Sequence, residues 1–300
     1  MTQKLSIRIA LLMAVAPLMW AGNAVVGRLV REQIPPLTFN LLRWVLAGAI
    51  LMLLAGWVLR PGSGLWAHWR RFAVLGLLGM GCYNSLQYLA LQTSNPINVT
   101  LVASSSPLWM LAVGALFFGA RVARPQLVGA AFSMAGVAVV LSRGDWSQLL
   151  ALRLVPGDLY VLLATALWAV YSWLLVRRDE PDAIRHDWAG FVLAQVVFGL
   201  GWSTLFAGAE WALTDARIHW GWPLVAALVF VAVGPSVLAY RCWNIGLQRT
   251  GPAMAGFFSN LTPLFAALIW AVWTGETPQA YHALAFLLIA GGIVVSSRRS

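Results

Sequence analysis

The sequence predicts an all-α integral membrane protein of ten transmembrane helices, arranged as two inverted five-helix repeats over residues 1–150 and 151–300. Three observations predict it. Sixty per cent of the 300 residues are apolar and ten per cent are charged, whereas roughly a quarter of the residues in a soluble domain are charged. Apolar runs near the ~20 residues that cross a bilayer recur along the chain with short connections. The chain also repeats itself: Leu91, Gln92, Pro96, Pro107, Gly119 and Gly136 return 156 residues later as Leu247, Gln248, Pro252, Pro263, Gly275 and Gly292. An earlier block matches at an offset of 148, where Trp20, Ala21 and Glu32 meet Trp168, Ala169 and Glu180. Five spans per copy is an odd number, so the copies are expected to cross the membrane in opposite directions, with a central site near the midplane.

In the first copy the spans are expected near Leu5 to Val30, Leu37 to Leu59, Phe72 to Leu91, Asn98 to Phe118 and Pro125 to Leu141. In the second they fall near Asp158 to Val176, Trp188 to Ala207, Trp222 to Gly246, Ala253 to Trp273 and Pro278 to Ser296. The apolar run after Lys4 and Arg8 is too long for a signal-peptide core and reads as the first span. With the N-terminus in the cytosol, thirteen Lys and Arg residues lie inside and five outside, Arg43 and Arg241 falling within spans. That bias favours both termini cytosolic. Many of the seventeen Trp sit at span ends, among them Trp57, Trp66, Trp69, Trp146, Trp188, Trp211, Trp220, Trp222 and Trp273, as suits rings that anchor at the headgroup boundary. Trp20, Trp109 and Trp168 are instead near mid-span.

The net charge of +10 is spread over the loops and forms no basic stripe, so no nucleic-acid partner is expected. Lys4 is the sole lysine, which excludes the GxxxxGK[ST] nucleotide loop. Every acidic residue and every His falls in a loop or at a span end. No metal site, cofactor or catalytic group is therefore expected at mid-depth, and enzyme function is disfavoured. Cys82 and Cys242 lie within apolar spans and suggest no disulfide framework.

Uncharged polar residues do reach the core. Tyr83, Asn84 and Gln87 share one face of the third span, and Ser236, Tyr240 and Asn244 recur every four residues in the eighth, beside Trp243. Ser104, Ser105 and Ser106 precede Pro107, as Ser259, Asn260 and Thr262 precede Pro263. Both prolines, read as hinges, disrupt backbone that is tolerated in a membrane only where protein or a cavity covers it. Asn23 and Pro17 flank Trp20, and Thr165, Tyr171 and Ser172 flank Trp168. The candidate substrate-binding set is thus Trp20, Asn23, Tyr83, Asn84, Gln87, Ser104, Trp168, Tyr171, Tyr240, Asn244 and Asn260. Such residues also hydrogen-bond between packed helices without touching a substrate. Arg43 and Arg241 are possible charge contacts: each would either snorkel towards the membrane surface, hold a structural bond, or meet a substrate carboxylate. Gly129 and Ser133, and the run Ala290-Gly291-Gly292, read as close helix contacts.

The run Leu37-Thr38-Phe39-Asn40-Leu41-Leu42-Arg43-Trp44, the paired Leu-Gln and Pro segments, and Gly275-Glu276 followed by Ala290-Gly291-Gly292 together resemble the drug/metabolite transporter superfamily. The likeness is to its EamA-type ten-helix exporters and, among these, to bacterial aromatic amino acid exporters. It covers nearly the whole chain, with one departure: the first copy has Gly119-Ala120-Arg121 where the second has Gly275-Glu276. The resemblance implies export of aromatic or broadly apolar amino acids across a bacterial inner membrane by alternating access, with the lipid bilayer and a small molecule as partners and no obligate protein partner. Export of another metabolite or a drug, and a passive channel or scramblase, are the rival readings. With no titratable group expected at mid-depth, facilitated export or exchange is expected over proton coupling.

The predicted topology has a direct check. In intact cells, Ser147→Cys is expected to react with a membrane-impermeant thiol reagent and Ser300→Cys to be silent; labelling of Ser300→Cys from outside would reverse the orientation.

Overall fold

A computed structural model describes residues 6–94, 99, 102–147, 155–275 and 279–297. Lys4, Asn98, Arg153, Glu276, Arg298, Arg299 and the segment 148–154 lie outside these residues, as does the side chain of Trp273. The described residues are helical with no strand. Among the described residues, eight helices are long and apolar enough to cross a membrane, and Ser106–Phe118 and Ala280–Ser296 are shorter apolar helices.

The first unit comprises α1 (Ile7–Leu29), α2 (Pro36–Ala55), α3 (Trp69–Gly76), α4 (Tyr83–Thr93), α5 (Ser106–Phe118) and α6 (Arg124–Ser142). The second comprises α7 (Pro156–Val176), α8 (Asp182–His186), α9 (Trp188–Leu213), α10 (Trp222–Val231), α11 (Ala239–Thr250), α12 (Pro252–Ser259), α13 (Leu261–Thr274) and α14 (Ala280–Ser296). α3 and α4 are two ends of one span joined by a π-helical segment, Leu77–Cys82, and α10 and α11 are joined likewise by Ala232–Leu238. The two π segments correspond at the 156-residue offset, Leu77 to Val233 and Cys82 to Leu238. Pro235 lies inside the second and brings no N–H to the helical ladder.

The repeated residues recur for local reasons. Gly119 and Gly275 end α5 and α13 in the left-handed conformation, at φ 64° and 73°, where a side chain would be strained. Pro107 and Pro263 stand in the first turns of α5 and α13, where a missing N–H costs no bond. They do not interrupt a continuous helix, as a mid-span proline would. The spans break just before them, with turns at Ser104–Ser105 and at Asn260.

Packing runs between the units. α2 lies along α9 and α6 along α14, so equivalent spans meet each other, while α7 packs on α4 and α5. α1 and α7 run in opposite directions. Arg28, near the end of α1, donates to Leu91 O at 2.8 Å, and a Cβ on Gly157, near the start of α7, would sit 2.7 Å from Ala90 O. Both therefore stand beside the end of α4. Apolar side chains such as Leu53, Leu116, Leu213 and Val272 cover the outside, as a lipid-facing surface requires. Trp66, Trp69, Trp146, Trp211, Trp220 and Trp222 are exposed near helix ends.

The carboxylates serve the helix ends. Glu210 accepts from Leu37 N, Thr38 N and Thr38 Oγ1 at 2.9, 2.8 and 2.7 Å, capping α2 from α9 with a negative charge at a helix N-terminus. Asp187 caps its own α9 through Ala189 N and accepts from Trp57 Nε1.

α6 and α14 approach so closely that a Cβ on Gly129 would lie 2.6 Å from Gly292 O, and one on Gly292 2.6 Å from Gly129 O. Gly129→Ala is therefore expected to lower stability by about 1–3 kcal/mol, read as thermal unfolding in detergent. Gly291→Ala, where a Cβ meets nothing within 4 Å, is expected to change it by less than about 1 kcal/mol.

Candidate functional site

Trp20 and Trp168, equivalent at the 148-residue offset, meet at the centre with ring centroids 5.2 Å apart and planes at 88°. Such edge-to-face pairs suit the ring quadrupole. Trp168 is the hub of an aromatic cluster, with Tyr83 at 4.5 Å, Tyr171 at 4.9 Å, Trp243 at 5.6 Å and Tyr240 at 5.7 Å. Above this pair lies a cleft containing about 580 Å³ of non-atom space, its open mouth included. Trp20, Tyr83 and Trp168 floor it, and Gln87, Ser104, Ser106, Thr165, Ser259, Thr262 and Pro263 rise around it with Ala24, Val99 and Ala103. From Trp20 to Ala24 on α1, and from Trp168 back to Thr165 on α7, the walls climb towards the end where α1 finishes and α7 starts. Ser106 Oγ and Ser259 Oγ are buried with no hydrogen-bond partner, and Gln87 Nε2 donates to Tyr83 OH at 3.3 Å.

Five of the predicted residues, Trp20, Tyr83, Gln87, Ser104 and Trp168, thus line the cleft together. Asn23, Asn84 and Tyr240 form instead a polar node around Arg43. That arginine does not snorkel, being fully buried. Its Nε donates to Ser236 Oγ at 2.5 Å, its Nη1 faces Asn84 Oδ1, Tyr88 OH and Asn23 Oδ1 at 2.8, 3.0 and 3.3 Å, and its Nη2 donates to Pro235 O at 3.2 Å. The ring of Trp44 lies 5.2 Å from the guanidinium carbon. No carboxylate among the described residues pairs with it.

The π segments supply the acceptors, because a π turn displaces the helical ladder and leaves carbonyls for side chains. Gly79 O accepts from Tyr240 OH at 2.6 Å and Asn84 Nδ2 at 3.2 Å. Met80 O accepts from Asn40 Nδ2 and Trp44 Nε1 at 2.9 and 3.1 Å. Gly79 and Pro235 are equivalent positions, so each unit lends a side chain to the other's π segment: Tyr240 to Gly79 O, Arg43 to Pro235 O.

The remaining candidates stand elsewhere. Tyr171 OH donates to Gln195 Oε1 at 2.8 Å. Asn260 Nδ2 donates to Ser133 Oγ at 2.9 Å while its Oδ1 is unpartnered, and both atoms of the Asn244 amide are buried without a partner. Pro263 lines the cleft, and Pro107 starts α5 as described. Arg241 lies on the exposed face of α11 and stacks over Trp188 at 4.6 Å; the buried face of that amphipathic helix carries Tyr240, Trp243 and Asn244. Ala24, Val99 and Ala103 carry no polar signal in the sequence, although Ala24 sits one turn beyond Trp20.

The profile of the EamA-like transporter family matches residues 7–142 and again 155–298. An uncharacterized transporter of Archaeoglobus fulgidus is 25% identical over 96% of this chain and 97% of its own. The aromatic amino acid exporter YddG of Ancylobacter novellus is 28% identical over 88% of each chain, and a probable amino-acid metabolite efflux pump of Salmonella typhimurium 25% identical over 92% of this chain and 90% of its own. A solved crystal structure superposes with a TM-score of 0.71 at 24% identity, covering 96% of each chain, a likeness of fold alone. With two matches that together span nearly all of its length, the chain belongs to the EamA-like transporter family and is a multi-pass membrane transporter, not an enzyme.

Proposed function

We propose that this transporter exports aromatic or broadly apolar amino acids across a bacterial inner membrane, by alternating access between two inverted five-helix repeats, residues 1–150 and 151–300. Both termini are cytosolic, and the cleft then faces the periplasm. The observation that carries the reading is the cleft's division of labour. Trp20, Tyr83 and Trp168 give the lining an aromatic part that suits an apolar side chain, while Ser106 and Ser259 in the same lining hold unused hydrogen-bonding capacity for an ammonium and a carboxylate. The 156-residue duplication, the opposed directions of α1 and α7, and the names of the YddG and efflux-pump relatives support it.

Charge favours zwitterions. No Asp or Glu among the described residues lines the cleft, and the buried cation of Arg43 bonds Asn84, the neighbour of the lining residue Tyr83. A net cation gains nothing there and meets repulsion. Pro107 and Pro263 act as hinges where the fourth and ninth spans break. With no acid or His among the described residues lining the cleft, transport is facilitated or exchange-driven.

Two measurements check this. In proteoliposomes loaded with unlabelled phenylalanine, labelled phenylalanine is expected to enter by saturable counterflow, competed by tryptophan and leucine but not lysine. No accumulation is expected from an imposed pH gradient with the potential clamped. Unsaturable flux without exchange would indicate a channel, and pH-driven accumulation would reveal a proton path. Secondly, Gln87→Ala and Trp168→Phe are each expected to cut counterflow about tenfold, the loss of roughly 1.4 kcal/mol of contact. If both transport like the parent, the cleft is not the substrate's route.

A further inference from the structure

On the opposite side of the Trp20–Trp168 pair, a second set of buried polar atoms has nothing to bond. Ser172 Oγ, Trp243 Nε1 and both Nδ2 and Oδ1 of Asn244 are without partners, and all three residues are at most 3% exposed. Buried polar groups are nearly always hydrogen-bonded, so a group of unsatisfied ones calls for a reason. Their position is defined. On α7, Thr165 precedes Trp168 by about one turn and lines the cleft, whereas Ser172 follows it by one turn on the other side. The Trp243 ring lies 5.1 Å from Trp20 and 5.6 Å from Trp168. Asn244 is on the part of α11 that runs down to Met13, where Thr250 Oγ1 donates to Met13 Sδ at 3.6 Å.

The duplication supplies the reason. Trp20, Ala24 and Gln87 line the cleft; their counterparts at the offsets of 148 and 156 are Trp168, Ser172 and Trp243. Tyr88, the neighbour of Gln87, corresponds to Asn244. Ser172 Oγ and Trp243 Nε1 therefore occupy positions that would line an equivalent cleft of opposite aspect, with the Asn244 amide next to Trp243 in the chain, and all three residues are buried in this conformation. A latch closes that side. Arg71 at the start of the third span forms ion pairs with Glu180 and Asp179, the latter at 3.2 Å, and donates to Leu174 O and Arg177 O at 3.2 and 2.7 Å. Arg185 pairs with the other oxygen of Glu180. One unit is thus tied to the other at the end remote from the cleft's mouth.

We propose that Trp168, Ser172, Trp243 and Asn244 form a second substrate site, latent in this conformation and opened when the Arg71–Glu180 latch parts and the first cleft closes. Its ligand is a zwitterion with an apolar side chain: the indole N–H and the amide Nδ2 donate to a carboxylate, while Asn244 Oδ1 and Ser172 Oγ accept from an ammonium. Trp20 and Trp168 are shared, and the substrate passes from one face of the pair to the other. The inference rests on the reading of the chain as a two-repeat alternating-access transporter.

The experiment is thiol labelling by a membrane-impermeant reagent, in right-side-out and inverted vesicles, with Cys82→Ala and Cys242→Ala as background. Thr165→Cys is expected to react from one face and Ser172→Cys from the opposite face only. Adding Arg71→Gln, which leaves Glu180 paired with Arg185, is expected to raise the Ser172→Cys rate at least threefold and to lower that of Thr165→Cys. Asn244→Cys is a second reporter, expected to behave as Ser172→Cys does. Reaction of these reporters from the face that labels Thr165→Cys would overturn the proposal, and so would silence from both faces in variants with the parent's unfolding temperature. Labelling needs no knowledge of the solute, so it stands if counterflow with amino acids fails.

Discussion

A single positive charge sits in the middle of this bundle with no carboxylate beside it among the described residues. Burying an ionised group costs several kcal/mol even after relaxation, while hydrogen bonds to a charged group contribute about 1.5–3 kcal/mol each. One or two such bonds would not hold Arg43; five neighbouring oxygens from α1, α4 and the π segment before α11 do. The guanidinium suits the task because its planar fork reaches several acceptors at once and is weakly hydrated compared with an ammonium. Its partners then organise one another: Tyr88 OH donates to Asn23 Oδ1, Ser236 Oγ to Val231 O, and Asn84 Nδ2 to Gly79 O. The node fixes where the two units touch, and the aromatic cluster is built beside it.

The π segments explain how that contact coexists with a pathway. An uninterrupted α-helix offers its carbonyls to itself; the shifted ladder at Leu77–Cys82 and Ala232–Leu238 offers Gly79 O and Pro235 O to side chains across the interface, and Met80 O to Asn40 and Trp44 within the first unit. The reciprocal pairs Tyr240–Gly79 and Arg43–Pro235 stand at equivalent places in the two units. The close glycine contact of α6 and α14 lies at another interface, away from this node.

Much of the architecture is readable from residue order. The offsets of 148 and 156 place Trp20 opposite Trp168, and the rings do meet; Gly119 and Gly275 recur because both helices end left-handed. Tyr83, Gln87 and Ser104 could be picked out as polar groups on apolar spans, and they share the cleft with the two tryptophans. Asn23, Asn84 and Tyr240 carry the same signal for a different reason, since hydrogen-bonding potential does not reveal which partner fills it. Arg43 shows the limit most clearly. A charge near a span end snorkels or is buried depending on what surrounds it in three dimensions, and its acceptors come from residues 20 to 193 positions away. The π turns leave no pattern beyond Gly79 and Gly81 in one copy and Gly234-Pro235 in the other, and Ala24 and Ala103 line the cleft merely by being small.

Thermal unfolding of Arg43→Lys in detergent tests the role of the node most directly. A lysine keeps the charge and the burial but cannot reach Ser236, Asn84 and Pro235 together, so a destabilisation of about 3 kcal/mol or more is expected from the loss of two charge-assisted bonds. An Arg43→Lys protein that unfolds at the parent's temperature would show that the charge alone suffices, and that the fork joining the two units at Pro235 and Ser236 does not hold the bundle together.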